Sequence, residues 1–206
     1  GAVSMKSGAP MAGTPEIDQI NLLVGQMARY YKLPWRCSGA CTSAKVFDAQ
    51  AGYEAARNLY GAALAGANFI LSTTGYMEGA LCQSFAKYVV DAEQAELTHK
   101  FLKGIDFSEL DEAVIAMNEI DPGGHFLGTK HTLENFQRAF VIPELMHHDS
   151  FEQWEAEGGL DLNERAINKA KKLLSEYEMP KLDEAINEEL IEFIQKRELQ
   201  LPDNVS

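Results

Sequence analysis

Several polar residues of this 206-residue chain stand at or just beyond the end of a short apolar run, where a reactive side chain would have a rigid base behind it. Lys6, followed by Ser7, is a candidate for acid–base work or a partner for a neighbouring carboxylate. Arg36, beside Cys37 and Ser38, has the planar fork that holds a carboxylate through two parallel bonds, or pairs between strands. Lys45 is either solvated or functional, and Asp48 is first of all a helix cap. Ser72, Thr73 and Thr74 offer hydroxyls to a substrate. Tyr76 belongs to the core or to an aromatic wall, and Glu78 stands where a helix start favours an anion or acts as a catalytic carboxylate. His125, in a glycine-rich turn, is a base, the wall of a cation pocket or a structural histidine.

Other chemistries lack their residues. No His-x3-His helix or carboxylate cluster gives metal-ligand spacing, and no Gly-x-Ser-x-Gly elbow is present. His131 helps open a helix. His147-His148 reads as a polar surface loop, with metal ligation the lesser alternative. Cys37, Cys41 and Cys82 are odd in number and read as buried or free thiols of a reducing cytosol. With 18 Lys and Arg against 31 Asp and Glu, the net charge of −13 argues against nucleic-acid or anionic-membrane binding. From Asp149 onward, 15 acidic residues face 7 basic ones, as on a solubilising helix surface or a docking face. The uncharged run 58–77 contains Asn68, Ser72, Thr73 and Thr74 and reads as helix end, turn and strand rather than a membrane span.

The elements that must position these residues repeat. Ala2–Met5, Trp35–Ser38 and Asn68–Leu71 read as strands 33 residues apart. Thr14 with Pro15 opens a helix carrying the stripe Ile17, Ile20, Leu23, Val24, Met27 and Ala28, and Pro34 prevents its continuation. Asp48 opens a second helix, striped by Ala51, Ala55, Leu59, Ala62 and Ala63, which ends at Gly66. Further helices are expected over 78–103 (broken near Tyr88), 108–120, 133–140, 161–178 and 183–197, with a short strand over 123–128. Alternating strands and helices imply a parallel α/β sheet, and right-handed crossovers at this period suit a TIM (β/α)8 barrel of about 250 residues. The Rossmann alternative lacks its glycine fingerprint. The expected architecture is half of such a barrel over 1–146, with an acidic helical C-terminal extension over 147–206 packing on it.

Several ordered segments resemble the trimethylamine methyltransferase family, corrinoid-dependent enzymes with a TIM-barrel fold. They are Met5-Lys6-Ser7-Gly8-Ala9-Pro10, Gly13-Thr14-Pro15-Glu16, Ser43-Ala44-Lys45, Asp48-Ala49-Gln50-Ala51-Gly52-Tyr53-Glu54, Ala65-Gly66-Ala67-Asn68-Phe69, Pro122 through Gly128 with His131-Thr132, and Phe151-Glu152-Gln153-Trp154-Glu155. The resemblance implies the C-terminal half of a protein about twice as long. It also implies methyl transfer from a methylamine or quaternary amine to the cobalt of a corrinoid (cobalamin) carried by a separate corrinoid protein, with no metal bound directly. Lys6, His125 and Glu78 would then be catalytic, and Arg36, Lys45, Tyr76 and Thr73 would bind substrate. Trp35, Tyr76 or Phe126 could hold an ammonium through cation–π attraction, about 0.5–2 kcal/mol per contact. The family's founding members carry pyrrolysine, whereas this chain has only the standard residues, which points towards a substrate such as glycine betaine.

Two alternatives remain open. One is another TIM-barrel lyase or hydrolase using Lys6 or His125, and the other is a non-catalytic half-barrel binding module. A half-barrel exposes two sheet edges, so a homo-oligomer is expected, with little activity from the segment alone. A cytoplasmic location is expected, with neither membrane nor nucleic acid as partner.

Overall fold

The computed structural model describes residues 2–200 and divides into two compact units at Lys171/Lys172. In the first, helix α1 (Pro15–Tyr30) leads to strand β1 (Arg36–Ser38), helix α2 (Ala49–Leu64) and strand β2 (Phe69–Leu71). β1 and β2 pair in parallel, with Arg36 opposite Phe69, Cys37 opposite Ile70 and Ser38 opposite Leu71. The 33-residue repeat is therefore the register of this strand–helix–strand unit. The Asp48 carboxylate accepts the Gln50 N–H at 3.0 Å and the Ala51 N–H at 3.3 Å, satisfying two free donors of α2. Asp48→Ala is expected to lower stability by about 1 kcal/mol, read as a small drop in thermal midpoint.

Beyond β2 the expected helix over 78–103 is two elements. Glu78, Gly79 and Ala80 all lie at positive φ (51°, 66° and 74°), and this left-handed run turns the chain through a hairpin. Its strands are β3 (Tyr76–Met77) and β4 (Cys82–Gln83), paired antiparallel. Helix α3 (Phe85–Lys103) starts only at Ser84, whose hydroxyl accepts the Lys87 N–H, and it runs unbroken past Tyr88.

Two expected strands do not form. Val3 makes only an isolated antiparallel bridge to Pro10, because Gly8 at φ +73° folds the segment onto itself through Ser4 N–H to Ala9 O at 2.9 Å. Residues 123–128 instead hold a 3-10 turn over Phe126–Gly128, since Asp121-Pro122-Gly123-Gly124 closes a tight turn with Gly123 at φ +87°. Helices α4 (Leu110–Asn118), α5 (Lys130–Ala139), α6 (Phe151–Ala156) and α7 (Leu162–Ser175) follow. The described residues are thus α/β, rich in helix and poor in strand, with one parallel pair.

α1 does not bury its expected stripe. Ile20, Leu23, Val24 and Met27 are 39–61% exposed, while Asn21 and Gly25 are buried. The packed face is the one bonded to α2, where Asp18 pairs with Arg57 at 2.8 Å and accepts the Asn58 amide at 2.9 Å. α2 keeps its expected face, burying Ala51, Ala55, Leu59 and Ala62, with Asn58 added. A core cluster joins Ala86, Val89 and Val90 of α3 to Leu145 and to Ala166 and Ala170 of α7, and Phe47 also touches a smaller cluster of Ala44, Ala51 and Met77.

The second unit contains helix α8 (Glu184–Glu198), capped by Asp183, whose carboxylate accepts the Ala185 N–H at 3.0 Å and the Ile186 N–H at 3.3 Å. The last six residues of the expected extension, 201–206, and Gly1 lie outside the described residues. Among the described residues no helix is long and apolar enough to cross a membrane.

Candidate functional site

Three segments converge beyond the carboxyl ends of β1 and β2. They are the turn over 2–13, the loop 39–48 after β1, and the loop and hairpin 72–84 after β2. Their mutual bonds are mostly to backbone, which fixes the loops as a unit. Glu78 N–H donates to Ala44 O at 3.0 Å, Gly79 N–H to Thr42 O at 2.8 Å, and Ser43 Oγ to Ala12 O at 2.8 Å. Glu54, reaching up from α2, accepts the Thr42 hydroxyl at 2.6 Å, the Ser43 N–H at 2.8 Å and the Gln50 amide at 2.9 Å. Gly79 lies so close to Pro10 that a Cβ there would sit 3.3 Å from the ring, which brings the base of the Lys6 turn beside Glu78.

Beneath the loops lies a charged pair that the spacing of motifs did not single out. Lys87 is fully buried and Asp91, one turn later on α3, is 4% exposed. The Lys87 ammonium pairs with Asp91 Oδ2 and donates to Ala40 O at 2.8 Å, while the same carboxylate oxygen accepts the Gly75 N–H at 2.8 Å. One ion pair thereby ties both strand-end loops to α3. Burial pushes the Asp91 carboxyl above its ordinary range, opposed by the neighbouring ammonium. The sequence did contain a signal, an i,i+4 Lys–Asp pair among Ala86, Val89 and Val90, and its apolar setting marks it as more than a surface bridge.

The expected site residues fall into two sets. Arg36 and Ser38 point to the same face of the parallel pair as Phe69 and Leu71, because paired residues in a parallel register share a side. Arg36, Ser38 and Phe69 are exposed there. Thr73 in the loop after β2 and Tyr76 at the start of β3 are partly buried, and Lys45 is exposed with its ammonium on the Ser43 carbonyl at 2.7 Å. Lys45 and Glu78 are brought together by the Glu78–Ala44 backbone bond. Lys6 is exposed on its turn, which the absent first strand does not support. His125 is exposed and lies outside the loop cluster, because the strand expected to deliver it does not form.

The thiols are free: Cys37 is half-buried, Cys41 buried and Cys82 exposed. Burial raises the Cys37 and Cys41 thiol pKa values, so neither is primed as a nucleophile. In chemical terms the loop cluster offers a lysine, hydroxyls, an aromatic ring and a carboxylate on a braced backbone, and the adjoining face of β1 and β2 adds the exposed Arg36 guanidinium. That is an inventory for binding and orienting a small charged molecule.

A family model described as trimethylamine methyltransferase (MTTB) matches residues 1–202. Over 193 residues the chain is 36% identical to the glycine betaine methyltransferase of Desulfitobacterium hafniense (strain Y51), which covers 94% of this chain and 40% of that protein. It is 30% identical over 196 residues to the trimethylamine methyltransferase MttB of Desulfitobacterium hafniense (strain DSM 10664 / DCB-2), covering 95% and 39% respectively. A likeness at 30% over 192 residues, covering 93% and 38%, joins it to the trimethylamine methyltransferase MttB of Methanosarcina barkeri (strain Fusaro / DSM 804). The chain thus spans about two fifths of the length of these relatives.

Proposed function

Since the chain belongs to the trimethylamine methyltransferase family, we propose that it serves methyl transfer from a quaternary amine of the glycine betaine type to a corrinoid carried by a partner protein. The observation that carries this reading is the 36% identity, over 94% of the chain, to a glycine betaine methyltransferase. We further propose that residues 1–146 are half of a (β/α)8 barrel and 147–206 its acidic helical extension. The exposed face of the β1–β2 pair supports the barrel, since parallel sheets are normally covered on both sides.

The residues present suit a corrinoid that arrives on another protein, because the loop cluster is open at the strand ends and this role requires no cobalt ligand from the chain. When bound, the reduced corrinoid supplies the nucleophile. The chain's own work is to hold the donor. Arg36 on β1 and Lys45 in the loop after it bind the betaine carboxylate, while Tyr76 and Phe69 offer faces to the ammonium and Glu78 a counter-charge. Thr73 lines the same loops. As a methyl group leaves a quaternary nitrogen, the electron pair of the broken C–N bond stays with the departing tertiary amine. No proton need move in that step, so positioning and exclusion of water dominate. Lys6 keeps a catalytic role in this proposal, tested by loss of methyl transfer in Lys6→Ala, whereas His125, outside the loop cluster, keeps none, and His125→Ala should transfer the methyl group as the parent does.

The test uses the family-length protein containing this chain, a Co(I) corrinoid protein and a panel of amines, read by the absorbance of methyl-Co(III). Glycine betaine is expected to give methyl transfer, and Arg36→Gln to raise the betaine concentration required by about 10- to 100-fold. Transfer from tetramethylammonium, which has no carboxylate, should not change with that substitution. Failure of every amine to methylate the corrinoid overturns the function, and an unaltered Arg36→Gln profile overturns the carboxylate role alone.

A further inference from the structure

A second cluster lies outside the loops described above, around helix α6. His147 Nε2 stands 3.1 Å from Glu157 Oε2 and 3.7 Å from Asp149 Oδ2, and the three donor atoms all lie within 4.8 Å of one another. An ion bound at the usual zinc distances of about 2.0–2.2 Å separates its ligand atoms by roughly 3–4 Å, and the two measured spacings fall in that range. We propose that His147, Asp149 and Glu157 form a divalent transition-metal site of the zinc class, with water completing the coordination.

The frame holding these donors is built in advance. The N–H groups of Glu144, Leu145 and Met146 all donate to the Glu93 carboxylate of α3, at 2.7, 2.7 and 3.0 Å, which fixes the backbone that presents His147. Glu157 is set from the other side, because Gln153 holds its second oxygen at 2.5 Å. Past Glu157 the chain reverses through Gly158 and Gly159, both at positive φ, and the Trp154 indole closes the turn on Leu160 O at 2.9 Å.

Charge favours a dication there. Among the described residues neither Asp149 nor Glu157 has a lysine or arginine partner, and His147 is the cationic candidate for both. Arg165 borders the same hollow, but its Nε and Nη1 donate to the Leu145 and Leu160 carbonyls rather than to either carboxylate. One imidazole with two carboxylates leaves two negative charges for the ion to neutralise, and a mixed N/O set suits zinc better than calcium or magnesium. Bound metal would clip the loop preceding α6 to the end of that helix. This inference is independent of the methyl-transfer reading.

The test titrates Zn2+ into the metal-free full chain, in a Cys82→Ser background that removes the exposed thiol, with Co2+ as the spectroscopic probe. One ion per chain is expected with micromolar affinity, weakened at least tenfold by His147→Gln and by Glu157→Gln and unaltered by His148→Ala. Zn2+ should also raise the thermal midpoint of the parent protein but not of His147→Gln. Absence of saturable binding overturns the site, as does binding that survives both substitutions unchanged. Should His147→Gln fail to fold, Asp149→Asn and Glu157→Gln carry the same comparison.

Discussion

Lys87→Met is expected to destabilise the protein by about 3–5 kcal/mol, a fall in thermal midpoint of roughly 6–20 °C for a chain of this size. The loss arises at Asp91 rather than at the lysine. With the ammonium removed, a carboxylate that is 4% exposed keeps only the Gly75 N–H, and a buried charge without its counter-ion is costly. The pH dependence follows from the raised pKa of Asp91. The folded chain holds that proton to higher pH than the unfolded chain, where the group titrates at about 3.9. This contribution to stability is therefore full below the unfolded pKa and is lost as pH rises through the folded one. Without Lys87 the pKa rises further, so the deficit of Lys87→Met is largest at neutral pH and narrows in mild acid. Urea denaturation at pH 7 and pH 5 measures both effects. The double variant Lys87→Met/Asp91→Leu should recover part of the loss. A single variant as stable as the parent would show that the pair does not hold the loops.

The second large effect concerns Gly25. A Cβ there would lie 3.0 Å from the Trp35 ring and closer still to the Ala65 carbonyl oxygen, which also accepts the Arg29 guanidinium. Helix propensity alone favours alanine at this position by about 1 kcal/mol. The contact reverses the sign, so Gly25→Ala should destabilise by about 1–3 kcal/mol and Gly25→Val by more. The strain would spread to the sheet, because Trp35 is bonded through both its backbone groups to Asn68, just before β2. At Gly52, within α2, an added methyl would meet nothing within 4 Å, so Gly52→Ala should stabilise by about 0.5–1 kcal/mol. Calorimetry on the pair decides the matter: if both alanines stabilise, α1 does not approach the end of α2 as closely as these distances require.

Much of the candidate site was legible from residue order because its frame is a local repeat. The 33-residue spacing anticipates which residues of β1 and β2 stand opposite one another, and therefore that Arg36 and Phe69 share a face. Asp48, Ser84 and Gly104 are ordinary cap residues where helices do begin or end, although Ser84 was hidden inside a helix expected to start at Glu78. That error has a clear cause. Left-handed backbone at Glu78 and Ala80 is rare for residues with side chains, and no local preference signals it. The short strand expected over 123–128 would deliver His125, but the Pro-Gly-Gly turn before it prevails.

By itself the sequence determined the elements whose causes lie within a few residues. These are the caps, the turn glycines, the helix α2 with its small-residue face, and the family motifs in their order along the chain. Which faces are covered was decided only by tertiary structure, since burial depends on what packs opposite. Thus α1 turns Asn21 and Gly25 inward and leaves Leu23 and Val24 exposed, because α2 offers Asn58 and Arg57 to Asp18 rather than an apolar groove. Lys87 becomes the most enclosed cation because Ala40 and Asp91 are there to receive it. His147 meets Asp149 and Glu157 only because α6 is one short helix with a reversed exit. Residue types state what chemistry is available, and the packing of distant segments decides which of it is brought to one place.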